Sequence, residues 1–388
     1  MSETVQGGES LSEEAVEKTG GETQVPNVPS IETRFLAKTY PKWLEIEKST
    51  SNNPAVVLSQ KLILSRNIKK YPFIENATAL EKESIFSDVL DAVEKSEIIK
   101  SDDFVKINVQ KINGLVAAML FEKDIIPWAA VRTDWARGIL ADCCDEKFPI
   151  IAINTKNHLD LSLYFENEKE SEALDKLNGI DNILGEELFY AYDSRFGFLF
   201  AKPEECGCGL SVEMVAHLPG LVLTGEISQT LNGLSVMGAR ATGLFNDGGE
   251  AWGSFFRINA GNCCGGDEKE IVAKAVEIRK ALIDVEAKAR KRLFKEAKKI
   301  MEDKIYRSFG MLRYARVLPT AQLFNFISLL RLGCERKLPL LVNIKKLNIM
   351  LERGFTTSLL LMSEEKEQPL GDLDEIRANF FRMLLGGD

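Results

Sequence analysis

Histidine is almost missing from this chain: 388 residues hold only His158 and His217. That excludes mechanisms needing a histidine pair and metal sites of several histidines. An excess of positive charge is missing too. There are 49 Lys and Arg against 58 Asp and Glu, a formal net charge of −9, and a nucleic-acid binder needs a basic footprint for the phosphates. No apolar run is as long as a membrane span. Residues 1–25 have neither a basic start nor an apolar stretch, so no signal peptide is expected and the expected location is cytoplasmic. The Cys-x-x-Cys spacing of zinc sites is missing. The seven cysteines include the groups Cys143-Cys144, Cys206-Gly-Cys208 and Cys263-Cys264, and they read as reduced free thiols, with no metal site expected.

What is present is globular. Hydrophobic residues make up 45% and charged residues 28%, and the length suits two or three domains. Residues 1–33 carry seven glutamates, one lysine and no apolar period, which predicts a disordered acidic tail. Residues 34–265 mix strand-like and helix-like stretches. Strands are predicted at 55–64, 148–154, 195–201 and 234–237, and a helix at 79–96. Residues 267–307 lack glycine and proline and read as one long helix. Helical patterns follow at 321–332, 343–352 and 372–385. The predicted fold class is α+β: an antiparallel-sheet domain over 34–265, then an all-helical domain over 266–388. Amphipathic helices of this kind often pair with a copy of themselves, so a homodimer is expected.

Several stretches together resemble the ATP:guanido phosphotransferases, specifically the bacterial protein-arginine kinases. Residues 58–67, Leu-Ser-Gln-Lys-Leu-Ile-Leu-Ser-Arg-Asn, are similar to the family strand Ser-x-Arg-x-Arg-x-x-Arg-Asn. Residues 154–160, Asn-Thr-Lys-Asn-His-Leu-Asp, are similar to Asn-Glu-Glu-Asp-His-Leu-Arg. Residues 207–219 resemble the Gly-Thr-Gly-Leu-Arg segment that ends in His-Leu-Pro, and residues 242–253 resemble Arg-Gly-Leu-Tyr-Gly-Glu-Gly-Ser-Glu-Ala-Leu-Gly. Residues 302–310 and 330–333 are similar to signatures of the bacterial helical domain. Both histidines fall on motif positions.

The resemblance implies transfer of the γ-phosphoryl of Mg-ATP to a guanidinium nitrogen. Such chemistry is mostly positioning and cation clamping, for which arginine forks are suited. Position by position, most of those charges are replaced. The clamp positions implied by the resemblance hold Lys61, Ile63, Arg66, Lys123, Asp160, Ser211 and Thr242, of which only Arg66 matches the family residue. The acidic pair that includes the base is Thr155 and Lys156, and a family cysteine aligns with Lys202. Gly209, Leu210, His217, Leu218, Pro219, Gly243, Gly248, Glu250, Ala251 and Gly253 do match. Turns and packing are thus retained while the charges for chemistry are not. A pseudokinase acting as a binding or regulatory module in bacterial protein quality control is the expectation. An active protein-arginine kinase with a rewired clamp of Lys156, Lys202 and Arg240 is the alternative, and only that alternative calls for ATP and Mg. Partners implied by the resemblance are a zinc-binding adaptor and a Clp-type chaperone; no nucleic acid and no membrane are expected. Finally, residues 373–378, Leu-Asp-Glu-Ile-Arg-Ala, resemble the phosphoarginine-reading segment Arg-Asp-x-x-Arg-Ala. Asp374 and Arg377 are either that reader or an exposed intrahelical ion pair.

Overall fold

The computed structural model describes residues 41–44, 55–96, 98, 104–112, 114–126, 135–142, 149–167, 169–245, 251–261, 266–364 and 373–386. The acidic stretch 1–33, Cys143, Cys144, Cys263, Cys264, Gly248 and Glu250 lie outside them.

Alternation of apolar and polar residues builds the centre of the molecule. In chain order come β1 (Val57–Arg66), α1 (Ala79–Lys95), β2 (Phe104–Asn108), α2 (Gly114–Glu122), β3 (Gly138–Asp142), β4 (Ile150–Ile153), β5 (Leu159–Tyr164) and α3 (Glu170–Leu188). The small hairpin β6 (Tyr192–Asp193) and β7 (Gly197–Phe198) follows, then β8 (Leu210–His217), α4 (Pro219–Leu223), α5 (Ile227–Val236), β9 (Ala239–Gly243) and β10 (Phe255–Gly261). The helices α6 (Glu268–Glu296), α7 (Lys298–Tyr314), α8 (Thr320–Glu335), α9 (Ile344–Arg353), α10 (Thr356–Glu364) and α11 (Leu373–Leu385) complete the chain. Eight strands form one sheet in the order β2-β3-β4-β5-β1-β8-β10-β9, antiparallel throughout.

The two faces of this sheet differ because successive side chains point to opposite sides. On one face Leu62, Leu64, Leu161, Val212, Met214 and Ile258 pack beneath α1, α3 and α6. Helix α1 is started by a capping box between Thr78 and Glu81, and it lays Ile85, Val89 and Ala92 on the sheet at helical spacing. The opposite face is covered in two places. Helix α2 covers β2, β3 and β4 through Ala117, Met119 and Leu120. The helices after residue 297 cover another part, around Trp43, Phe245, Phe255, Phe324 and Phe355. Between these covers the sheet surface is left as a cleft.

Three sequence expectations are corrected. Residues 234–237 are not a strand but the end of α5. A short apolar run does not by itself tell strand from helix, and here Val236 is 90% exposed while Leu234 packs inward. Residues 195–201 supply only the two-residue strand β7, because Gly197 turns the chain with φ of 75°. The long helix over 267–307 is two helices, broken at Ala297 with φ −127° and ψ 31°. The first of them, α6, buries Ile271, Ala275, Ile278 and Leu282 in the core of the sheet. The apolar core changes hands within α6, between Ala289 and Leu293, shortly before the break at Ala297. Cys206, Cys208 and Cys334 are free and half-buried. Among the described residues no helix is long and apolar enough to cross a membrane.

Candidate active site

Strand register decides which side chains reach the cleft. Residues directly opposite in an antiparallel pair share a face. Ile63 pairs with Ser162 and Ser211, Lys61 with Tyr164 and Glu213, and Ser65 with Asp160. Glu213 pairs with Asn259, and Thr242 and Arg240 pair with Arg257 and Asn259. The sheet thus brings Lys61, Ile63, Asp160, Ser211, Thr242 and Arg240 to one face, on four strands. Arg66 has the other parity. It lies under the helices, 2% exposed, with Nε and Nη2 donating to Asp181 at 3.0 and 2.7 Å and Nη1 donating to the Ser65 and Cys208 carbonyls. Its guanidinium stacks 3.5 Å from the Phe198 ring centre. The one matching clamp arginine is therefore a buried structural side chain in this structure.

The cleft is a cavity of about 240 Å³. Ile63, Phe121, Ile125, Leu244 and Phe245 form its apolar walls, and Lys61, Asp124, Lys156, Asp160, Glu213 and Arg257 supply its charges. At its floor those charges neutralise one another. Lys61 Nζ lies 2.8 Å from Glu213 and 3.4 Å from Asp124. Arg257 donates through Nη2 to Asp124 at 2.8 Å and through Nη1 to Glu213. Tyr164 donates its hydroxyl to the Asp124 carbonyl at 2.8 Å and to Oδ2 at 3.0 Å. Burial pushes the Asp124 carboxyl up, but Arg257 and Lys61 outweigh it and hold it below the usual carboxylate range. Burial, reinforced by Asp124 and Glu213, raises the Tyr164 hydroxyl well above its ordinary value, so Tyr164 serves as a donor.

At the rim, Asp160 accepts hydrogen bonds from Ser65, Thr155 and Asn157. Lys156 is held by Glu205 at 2.6 Å. Ser211 is buried, Thr242 is half-buried, and Arg240 is exposed on the edge strand β9. Lys202 is exposed on the turn after β7. Lys123 points away from the cleft toward Glu352, 3.6 Å off, and burial lowers its pKa despite that partner. These residues do not fit a triphosphate and its metal: each cation lining the cavity already faces a carboxylate. Among the described residues no cluster of three His, Cys, Asp or Glu is arranged for a metal.

Neither histidine reaches the cleft. His158 Nδ1 accepts the Ile68 N–H at 2.9 Å and Nε2 donates to the Pro72 carbonyl at 2.9 Å, and burial lowers its pKa to about 4. His217 stacks on Phe255 and shares a 2.7 Å hydrogen bond with Ser328; burial drives its pKa well below the ordinary range. Both are neutral positioning groups for loops and layers.

Two sequence profiles match this chain: ATP:guanido phosphotransferase, C-terminal catalytic domain, over residues 82–289, and protein-arginine kinase McsB C-terminal domain, over residues 298–387. The chain belongs to the ATP:guanido phosphotransferase family, protein-arginine kinase type. The gap between the two matches contains the helix break at Ala297. The chain is 31% identical over 281 residues to a protein-arginine kinase of Caldanaerobacter subterraneus subsp. tengcongensis, covering 72% of this chain and 82% of that one. It is 29% identical over 333 residues to a protein-arginine kinase of Bacillus cereus, covering 84% and 91%. Among solved structures, the duplicated taurocyamine kinase of Schistosoma mansoni with transition state analog components aligns with a TM-score of 0.50 and 16% identity, over 62% of this chain and 35% of that one. That likeness is one of fold.

Within the family fold, Asp374 and Arg377 take an unexpected place. The pair is not exposed: Arg377 is fully buried. It donates to the carbonyls of Gly354 and Leu318 at 2.8 Å each, to Thr356 Oγ1 at 3.2 Å and to Asp374. The sequence reading missed Asp124, Glu213, Arg257 and Tyr164. For Glu213 and Arg257 the available signal was charge on the polar parity of otherwise apolar strands.

Proposed function

We propose that this member of the protein-arginine kinase family no longer transfers phosphate and acts as a binding or regulatory module. One observation carries the reading: Lys61 and Arg257, the cations at the cleft floor, are matched by Asp124 and Glu213. A phosphate entering would have to break that lattice and would face Asp160 at its rim. Removal of a single arginine in phosphoryl transfer costs about 10³ to 10⁵ in rate, and here Ile63, Ser211 and Thr242 hold positions without charge. Calorimetry with Mg-ATP and mass spectrometry of phosphoarginine on an arginine-rich protein test the reading together. Affinity weaker than about 1 mM and no phosphoarginine are expected. Micromolar affinity or phosphoarginine formation overturns it.

The second reading, an active kinase using ATP and Mg with a rewired clamp, is favoured by Arg240, which is exposed and shares its face with Thr242. The same two assays decide it. A homodimer belongs to the proposal as well. Helix α7 exposes Ile300, Met311 and Tyr314 within one stripe, and light scattering at micromolar protein tests the pairing. A zinc-binding adaptor and a Clp-type chaperone are the proposed partners, and a cytoplasmic setting is part of the same reading.

A further inference from the structure

Positive charge gathers where the ends of α6 and α8 meet. Between residues 288 and 299 the chain has seven basic residues and one acidic residue. Arg290 turns inward, where Glu286 and Glu335 hold it. One turn later, Phe294 carries the Arg336 guanidinium 4.5 Å from its ring centre. These two contacts fix Arg336 and Lys337, just past α8, beside the turns of α6 that bear Lys291 and Lys295. All four are exposed. Nearby, Lys288, Arg292 and Lys298 each have a carboxylate partner, in Asp284, Glu226 and Glu302. Lys291, Lys295 and Lys337 have none among the described residues. Lys291 and Lys295 also stand one turn apart on one helix, where like charges repel. The patch is short of negative charge.

The other end of the chain supplies that charge. Residues 1–33 carry seven glutamates and one lysine, the same imbalance with the sign reversed. The described chain starts at Pro41, and Trp43 belongs to the apolar cluster that contains Leu293. The acidic stretch is thus tethered to the core that carries the patch. Glu32 is nine positions before Pro41, a link that spans up to about 30 Å when extended. We propose that the acidic stretch 1–33 docks on the patch around Lys291, Lys295 and Lys337 and covers it. The inference does not depend on whether the cleft transfers phosphate. Exposed ion pairs are individually weak, so the same stretch would hold poorly as a separate molecule. The tether raises its effective concentration to about millimolar, and at physiological salt charges within about 8 Å still attract. While docked, the stretch keeps other polyanions off the patch.

The test is cross-linking of the full chain with a water-soluble carbodiimide, which couples a carboxylate to a lysine amine in contact with it and takes up the water released. Peptide mass spectrometry is expected to place most links from residues 1–33 at Lys291, Lys295 and Lys337. A mixture of isotope-labelled and unlabelled chains is expected to give those links within one chain only. They are expected to vanish at about 1 M salt, where the Debye length is about 3 Å. Most are expected to be lost when Lys291→Glu, Lys295→Glu and Lys337→Glu are combined. The same loss is expected when Glu9→Lys, Glu13→Lys, Glu14→Lys and Glu17→Lys are combined. Joining both sets in one chain exchanges the charges, and the links are expected to return. The glutamate set lies outside the described fold, so it keeps the test decisive if the lysine set misfolds. Three outcomes overturn the proposal. Links spread evenly over other exposed lysines leave the patch to a separate acidic partner. Links between labelled and unlabelled chains assign it to the stretch of another copy. Links that survive charge reversal on either side, or stay absent after the exchange, show that charge pairing does not hold the stretch there.

Discussion

Replacing Arg377 by alanine removes the fastener between α11 and the segments it crosses. Its guanidinium is fully buried and donates to two backbone carbonyls, Gly354 and Leu318, besides Thr356 and Asp374. A hydrogen bond to a charged group contributes about 1.5–3 kcal/mol, and a buried acceptor left alone costs about as much. The two carbonyls therefore account for roughly 3–6 kcal/mol. Asp374, about a quarter exposed, can be rehydrated and adds at most about 1 kcal/mol. At about 2–4 °C per kcal/mol for a domain of this size, Arg377→Ala is expected to melt at least ~6 °C below wild type by circular dichroism. Asp374→Asn is expected to lose only a degree or two. A melting temperature for Arg377→Ala within about 2 °C of wild type would refute the reasoning. A surface pair at i and i+3 gives the opposite expectation, so the experiment separates the two.

Glu122 carries a pH signature. Burial raises its carboxyl to about 8 from an ordinary 4.5, against a hydrogen bond from Thr357. The folded chain then holds a proton that the unfolded chain releases, so stability falls as pH rises from about 4.5 to 8, by up to about 5 kcal/mol. Glu122→Gln is expected to match wild type near pH 5 and exceed it at pH 8 in urea titrations; parallel profiles would contradict this. Gly209 sits at φ 72°, and a Cβ there would lie 2.7 Å from the Ser65 carbonyl and 2.6 Å from Arg66 Nη1. Gly209→Ala is expected to cost about 2 kcal/mol or more, read as a shifted urea midpoint with unchanged slope.

The family and its α+β layout were legible because glycines, prolines and apolar periods record turns and packing directly. Gly209, Leu210 and Pro219 keep those roles here. Alternation alone puts Lys61 and Ile63 on one face of β1, while Asp160 joins that face only through the pairing of β1 with β5. The present partners of these residues were not legible in the sequence. Glu213 and Arg257 are 44 residues apart, and Asp124 meets them only because α2 ends over the sheet. Register, not local pattern, makes those contacts. The burial of Arg377 was hidden for the same reason: an acid and a base one turn apart look identical on a surface and beneath another helix. The break at Ala297 escaped because alanine is a good helix former; α6 already enters the second core at Leu293, before the break.

The hydrogen-bonded cage around Asp160 has a consequence for how this cleft could change over generations. An arginine at 160 would bring its donors against the Asn157 amide and the Ser65 and Thr155 hydroxyls, all now aimed at an acceptor. An arginine at 61 would gain a fork but still find Glu213 and Asp124 shared with Arg257. Each single step toward an anion-binding cleft therefore meets partners adapted to the present charge, and on the proposed reading several substitutions would have to occur together.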